Sequence, residues 1–418
     1  MHLQMNIIND DILLAILSRK NSDINSIRIL DQHLEYNIVR PGSNSWSQVC
    51  RLIVLYQIQG KEDHIPSSPK KKTFFLKVPA KSPLYKVIEK LGSYDKEVEM
   101  YTKVVPQMYS IENNEYFTPR FYHLDDRISL VLKDLSKSGY KCADRINQLD
   151  FEHSSWALKY LAKFHALSVK LHKTIGLSES IKKNPFANLV EDADSTTPDD
   201  TSSAFTSQIP MFIDSLPQYL KDQFPHMVSE LINLSSPESI TKMAQDSANA
   251  KFKVLNHGDF WTNNIMFKYH EEKSTIKKVK LIDFQLTSWS SPVKDLIYFT
   301  LTSVKFEVYV EYFPQSLNIY LDTLNEVLGR LGCPIYDTES FMEDFQAMYP
   351  FALIVLCCVL PLFVSDPDDI IDAGQMCVGD KFQMSGLAKA YEQKYFQRIS
   401  VKWFEHFARR GSMIGLDL

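Results

Sequence analysis

Glycine is scarce in this chain, 13 residues in 418, against a usual share of about 7%. Gly42 and Gly258, which fall inside candidate site segments, therefore gain weight. The six cysteines have neither a framework spacing nor a Cys-x-x-Cys pair, which argues against a disulfide scaffold and a zinc ribbon. They read as reduced, mostly buried thiols of a cytoplasmic protein. Basic residues do not dominate: 46 Lys and Arg against 51 Asp and Glu give a net charge of -5, which argues against nucleic acid as the main partner. Asp10 and Asp11 in the first turns, with no small-residue cleavage site after an apolar core, exclude a secretory signal. Long apolar runs are missing too. Met348 to Val364 is short for a span of about 20 residues and is bracketed by Pro350 and Pro361. A buried core helix is expected there, not a membrane span.

What is present fits an ordinary globular protein, 44% apolar and 23% charged. A chain of this length favours two lobes or domains over one. A short helix is expected near residues 7–19. Alternating apolar runs predict strands near His33 to Val39, Gln48 to Gln57 and Thr73 to Val78. Tyr94 to Val105 has helical spacing, and Pro106 is expected to end it. Two more strands follow near Arg120 to Tyr122 and Ile128 to Leu132. Beyond Lys133-Asp134-Leu135-Ser136 the pattern turns helical, as Trp156, Tyr160, Phe164, Leu167 and Leu171 show. Short strands at Val254-Leu255, Ile265 to Tyr269 and Ile276 to Ile282 interrupt it. The expected fold is α+β. A small antiparallel-sheet lobe with one main helix covers residues 1–134, and a large, mostly helical lobe covers residues 135–418.

The run His257-Gly258-Asp259-Phe260-Trp261-Thr262-Asn263-Asn264, followed by Leu281-Ile282-Asp283-Phe284, carries the chemistry. In phosphoryl transfer one carboxylate accepts the proton of an attacking hydroxyl. Another carboxylate and an amide oxygen hold divalent ions on the phosphates. The kinase catalytic loop has an Asp, four residues, an Asn, and then a downstream Asp-Phe. Asp259, Asn264 and Asp283 reproduce that order, with Asp259 as the base and Asn264 and Asp283 as metal ligands. His257 is expected to anchor the loop near Asp283, and His165 to be a core histidine supporting it. Only 12 positions separate Asp283 from Asp295, and no Ala-Pro-Glu occurs. That leaves no room for a peptide-docking activation segment, so the acceptor is expected to be a small molecule.

These motifs, together with Phe74-Phe75-Leu76-Lys77-Val78-Pro79, Leu130-Val131-Leu132-Lys133-Asp134-Leu135, Leu161 to Ser168 and Asp295-Leu296-Ile297-Tyr298-Phe299, resemble the CHK kinase-like (ecdysteroid kinase-like) family. That family is related to choline and aminoglycoside kinases and has a bilobal protein-kinase-like fold. The resemblance implies ATP and Mg2+ as cofactors and a small-molecule alcohol as acceptor, with an ecdysteroid or another lipophilic alcohol as the first class to consider. It implies that Lys77 bridges the ATP phosphates and a helix glutamate. Glu97 is the first choice for that partner and Glu99 the second. It implies a phosphate-covering turn at Gly42, Asn44 and Ser47, where Ser45-Trp46 departs from the commoner pair and a plain hairpin turn is the alternative. Asp295 would be a buried carboxylate bonded to catalytic-loop amides. Eight aromatics, Tyr298, Phe299, Phe306, Tyr309, Tyr312, Phe313, Tyr349 and Phe351, fit an apolar pocket or ordinary core equally well. A choline- or aminoglycoside-type kinase of a cationic acceptor and a catalytically silent nucleotide or steroid binder stay open as alternatives.

Overall fold

Strands with a two-residue side-chain period build the first layer. In a computed structural model, β1 (Ile27–Glu35), β2 (Ser47–Ile58), β3 (Lys70–Pro79), β4 (Phe121–Leu124) and β5 (Leu130–Lys133) form one antiparallel sheet, in the order β1-β2-β3-β5-β4. The structure describes residues 8–18, 27–36, 38, 47–58, 68–79, 92–112, 117–124, 130–184, 208–236, 239, 242–243, 250–272, 275–364, 377–378, 381–382 and 385–413. Helix α1 (Asp10–Ser18) brings Leu13, Ile16 and Leu17 onto one face of the sheet, against Leu52, Val54, Phe74 and Leu76. The alternate residues Phe75 and Lys77 take the opposite face. There helix α2 starts as Ser93–Glu99, and Tyr94 OH donates to Lys77 O at 2.9 Å.

Two boundaries differ from expectation. β1 begins at Ile27 and ends at Glu35, because pairing with β2 sets its extent, from Ile27 opposite Ile58 to Glu35 opposite Arg51. Burial does not mark it, since Ile27 alone in that strand is buried. Helix α2 does not end at Pro106. It passes through a π-helical turn at Met100–Val104 and continues as Val105–Ile111. In that wide turn the Val105 N–H reaches Met100 O. Pro106 then sits in the first turn of the next segment, the part of a helix that tolerates proline best.

Arg51 ties the sheet to the joint after β5. Its Nε donates to Asp134 Oδ2 at 2.6 Å, and its other nitrogens reach Glu35 and Ser136. Beyond the joint the chain is predominantly helical. The elements are α3 (Phe151–Ile175), α4 (Glu179–Lys182), α5 (Gln208–Ser215), α6 (Gln218–Gln223), α7 (Pro225–Leu234), α8 (Val293–Ser303), α9 (Phe306–Arg330), α10 (Thr338–Ala347), α11 (Tyr349–Ile354, extended by a π-helical turn at Val355–Val359 to Leu360–Phe363), α12 (Ser385–Glu392) and α13 (Lys394–Arg410). Asp150 caps α3, its side chain accepting from His153 N at 2.9 Å. Short strands frame the motif residues. β6 (Tyr140–Cys142), β8 (Ile265–Tyr269) and β9 (Ile276–Leu281) form one sheet, and β7 (Val254–Asn256) pairs with β10 (Ser288–Ser290). β6 and β10 are too short to show a period in the sequence.

Among the described residues no single helix is long and apolar enough to cross a membrane. α10 and α11 reach that composition only as a pair bent by 48°. Val355, Leu356, Cys357 and Cys358 of α11 are fully buried in the helical core.

Candidate active site

The loop after β7 is held by one buried carboxylate. Asp295, near the start of α8, accepts from His257 N at 2.6 Å and from Gly258 N at 2.9 Å. It also accepts from His165 Nε2 of α3 at 3.1 Å, while His165 Nδ1 takes the Tyr320 hydroxyl at 2.8 Å. Burial works against the Asp295 charge, but His165 and the loop amides outweigh it and lower its pKa. Burial likewise lowers the pKa of His165, with Asp295 opposing. A neutral ring that donates from Nε2 and accepts at Nδ1 satisfies both neighbours. Ser168, one turn further along α3, donates to His165 O and accepts from Leu255 N at 2.9 Å. His257 completes the frame: its Nε2 bonds Ile282 O at 3.0 Å, and its ring lies 4.8 Å from Phe284.

On this frame Asp259 and Asn264 meet. Asn264 Nδ2 donates to Asp259 Oδ2 at 2.8 Å and to Asp259 O at 2.9 Å. Tyr298 of α8 donates its hydroxyl to Asp259 Oδ1 at 2.7 Å. Burial and then the nearby Asp283 charge push the Asp259 carboxyl up to about 7. The Tyr298 and Asn264 hydrogen bonds and the Lys77 charge pull the other way.

From the sheet side, Lys77 Nζ lies 2.7 Å from Glu97 Oε2 and 2.8 Å from Asp283 Oδ1. Glu97 is thus the helix partner, while Glu99 faces Lys103 at 3.9 Å. Lys77 and Glu97 are almost wholly buried, whereas the Asp283 side chain stays 21% exposed. Burial disfavours the Lys77 ammonium, but Asp283 and Glu97 outweigh that and raise its pKa. Asp283 has φ 69°, a left-handed conformation that Asp tolerates better than most residues. The two halves therefore converge: Asp283 bonds Lys77 and its charge reaches Asp259, while Ile282 N donates to Asn264 O at 3.0 Å.

A model of the Ecdysteroid kinase-like family matches residues 41–333. The chain belongs to that family. No curated protein matches the sequence. Among solved structures, this ecdysteroid kinase-like protein is similar to a choline kinase from Cryptosporidium parvum Iowa II (12% identity, 98% of this chain and 99% of that one, TM-score 0.47). It is also similar to an ethanolamine kinase from Plasmodium vivax (11%, 95% and 94%, 0.39) and to the choline kinase LicA from Streptococcus pneumoniae (11%, 95% and 99%, 0.38).

Gly42, Asn44 and the Ser45-Trp46 departure lie outside the described residues. Ser47 is the buried first residue of β2, and its Oγ accepts from Gln285 Nε2 at 3.2 Å. Gln285 Nε2 also reaches Glu97 Oε2 at 3.2 Å, linking the residue after Asp283-Phe284 to both the sheet and α2. Of the aromatics offered as a pocket, Phe299, Tyr309, Phe313 and Tyr349 are buried core. Tyr298 is the one of the eight bonded to Asp259. Its ring packs 6.0 Å from Phe363, which in turn lies 4.0 Å from Trp261. A groove of about 690 Å³ bordered by Glu112, Lys159, Lys163 and Arg330 touches none of these site residues.

The sequence reading gives no site role to three residues: Gln285 as the link between Ser47 and Glu97, Tyr298 as a partner of Asp259, and Lys96. Lys96 is buried beside Glu97, with Nζ donating to Lys183 O at 2.5 Å and Thr287 O at 3.0 Å. Burial, then repulsion from Lys294, lowers its pKa to about 8. A lysine flanking the paired glutamate is the signal that could have drawn attention to it.

Proposed function

We propose that the protein is an ATP- and magnesium-dependent kinase of a small-molecule alcohol, with residues 1–134 as the nucleotide lobe and 135–418 as the catalytic and acceptor lobe. The observation that carries this reading is that Lys77 pairs with Glu97 and Asp283, while Asp283 acts by its charge on Asp259, which Asn264 holds. Lys77, held by Glu97, neutralises charge on the ATP α- and β-phosphates. For covering them we propose the segment carrying Gly42 and Asn44, which runs into Ser47 at the start of β2. Asp259 takes the proton of the acceptor hydroxyl as its oxygen attacks the γ-phosphorus and ADP leaves. Positioning and charge neutralisation supply most of the rate enhancement in such a site.

The donor set suits Mg2+. Asn264 commits its amide nitrogen to Asp259, which leaves its carbonyl oxygen for a cation, and Asp283 offers a partly exposed carboxylate. Among the described residues no cluster of three or more His, Cys, Asp or Glu could hold a metal. An ion bound by one or two protein oxygens and by substrate phosphates needs no such cage. When bound there, the ion would neutralise phosphate charge and align the terminal phosphoryl group.

For the acceptor we favour an ecdysteroid or another neutral lipophilic alcohol. Support comes from the family and from the Trp261, Tyr298 and Phe363 rings grouped beside the base. The test is a transfer screen with MgATP over steroid, sugar and amino-alcohol panels, with mass detection of phosphomonoesters. Products from lipophilic alcohols are expected. Products from choline or ethanolamine alone would replace the acceptor class, and no product together with no MgATP binding would remove the kinase reading.

A further inference from the structure

We infer that Tyr298 is a positioning residue for the base: its phenol, opposite the Asn264 amide, fixes the Asp259 carboxylate in one rotamer. This rests on the kinase reading above and adds to it a residue outside the Asp-x4-Asn and Asp-Phe motifs.

The geometry is specific. A carboxylate on a loop can rotate, and Asp259 is gripped from both ends, by Tyr298 OH on Oδ1 and by Asn264 Nδ2 on Oδ2. A carboxylate has about four lone-pair sites, so each oxygen keeps room for the acceptor hydroxyl after accepting one bond. The two grips differ in what holds them. Asn264 stands in the catalytic loop itself, whereas Tyr298 comes from α8, one turn after Asp295. Helix α8 therefore fixes the loop twice, through the Asp295 carboxylate on its backbone amides and through the Tyr298 phenol on its reactive side chain.

The phenol is suited to that task. Burial, then the Asp259 charge, raises its pKa well above the ordinary value, so it stays a donor. Its ring is set by Phe363, whose carbonyl oxygen accepts from Arg145 Nη1 at 2.8 Å. An aliphatic or phenylalanine side chain at 298 would fill the same space and leave Oδ1 without its fixed donor.

The test uses Tyr298→Phe, which removes one oxygen and keeps the ring. The readouts are MgATP hydrolysis with water as acceptor and binding of a fluorescent ATP analogue. The expected result is a fall in kcat of about 10- to 100-fold, the scale of one hydrogen bond to a charged group. KM for MgATP, analogue binding and melting temperature stay as in the wild type. Retention of kcat within about twofold, or a parallel loss of binding and stability, overturns the assignment. Crystal structures of both proteins give a readout that needs no turnover. An ordered Asp259 in the wild type and a rotated or multiply occupied one in Tyr298→Phe is expected, and an unmoved carboxylate overturns the proposal. A wild-type protein that neither binds nor hydrolyses MgATP would instead sink the kinase reading, while the structures still decide the Tyr298 contact.

Discussion

At residue 258 a Cβ would lie 1.9 Å from the Leu286 carbonyl oxygen, on a backbone with φ +81°. Any side chain here would strike the Leu286 backbone, three residues after Asp283. Gly258→Ala combines left-handed strain with a clash against main chain, and is expected to cost about 3 kcal/mol or more. Urea unfolding checks this, and wild-type stability in the variant would contradict it. One position further on, the Asp259 carboxyl titrates near 7 in the folded protein instead of at 3.8. Between those values the folded state holds more protons than the unfolded chain, so this residue makes stability fall as pH rises through that window. Asp259→Asn is expected to abolish phosphoryl transfer and to stabilise the fold at pH 8 by on the order of 1–2 kcal/mol. A variant that turns over normally, or that is less stable than wild type at pH 8, would contradict that account of Asp259.

Among the elements, α2 carries both the glutamate that orders Lys77 and a lysine that bonds two carbonyls of the helical part. Lys96 Nζ reaches carbonyls of Lys183 and Thr287, and its pKa falls from 10.5 to about 8. Here the unfolded chain holds more protons between those values, so stability rises with pH across roughly pH 8 to 10. Lys96→Met is expected to flatten that rise. Unfolding free energies at several pH values test it, and an unchanged slope would contradict the assignment. The course of α2 was not legible in the sequence, because Pro106 is a local stop signal and the π-helical turn that accommodates it has no sequence signature. β1 was misplaced for a related reason: its extent is set by pairing with β2, and its side chains are mostly exposed. Lys77 was legible through the resemblance of its strand to the family, which offered Glu97 and then Glu99 as partner, and the structure pairs the first.

At the scale of the molecule, rings join the two lobes. Tyr101 of α2 lies 5.7 Å from Phe284, which lies 4.8 Å from His257 in the loop after β7. The α+β division and the grouping of Asp259, Asn264 and Asp283 could be read from the sequence, since those residues lie within one short stretch that a strand hairpin folds back on itself. The contact of Tyr298 with Asp259 could not. It spans 39 positions, and a tyrosine on an apolar helix reads as core. The central claim is that these groups surround the terminal phosphate of MgATP. Its most direct test is calorimetric binding of ATP, with and without Mg2+, to wild type, Asp259→Asn and Asp283→Asn. Mg2+-dependent binding is expected to survive Asp259→Asn and to be lost or weakened at least tenfold in Asp283→Asn. Wild-type protein with no Mg2+-dependent binding, or an Asp283→Asn variant that binds as wild type does, would contradict it.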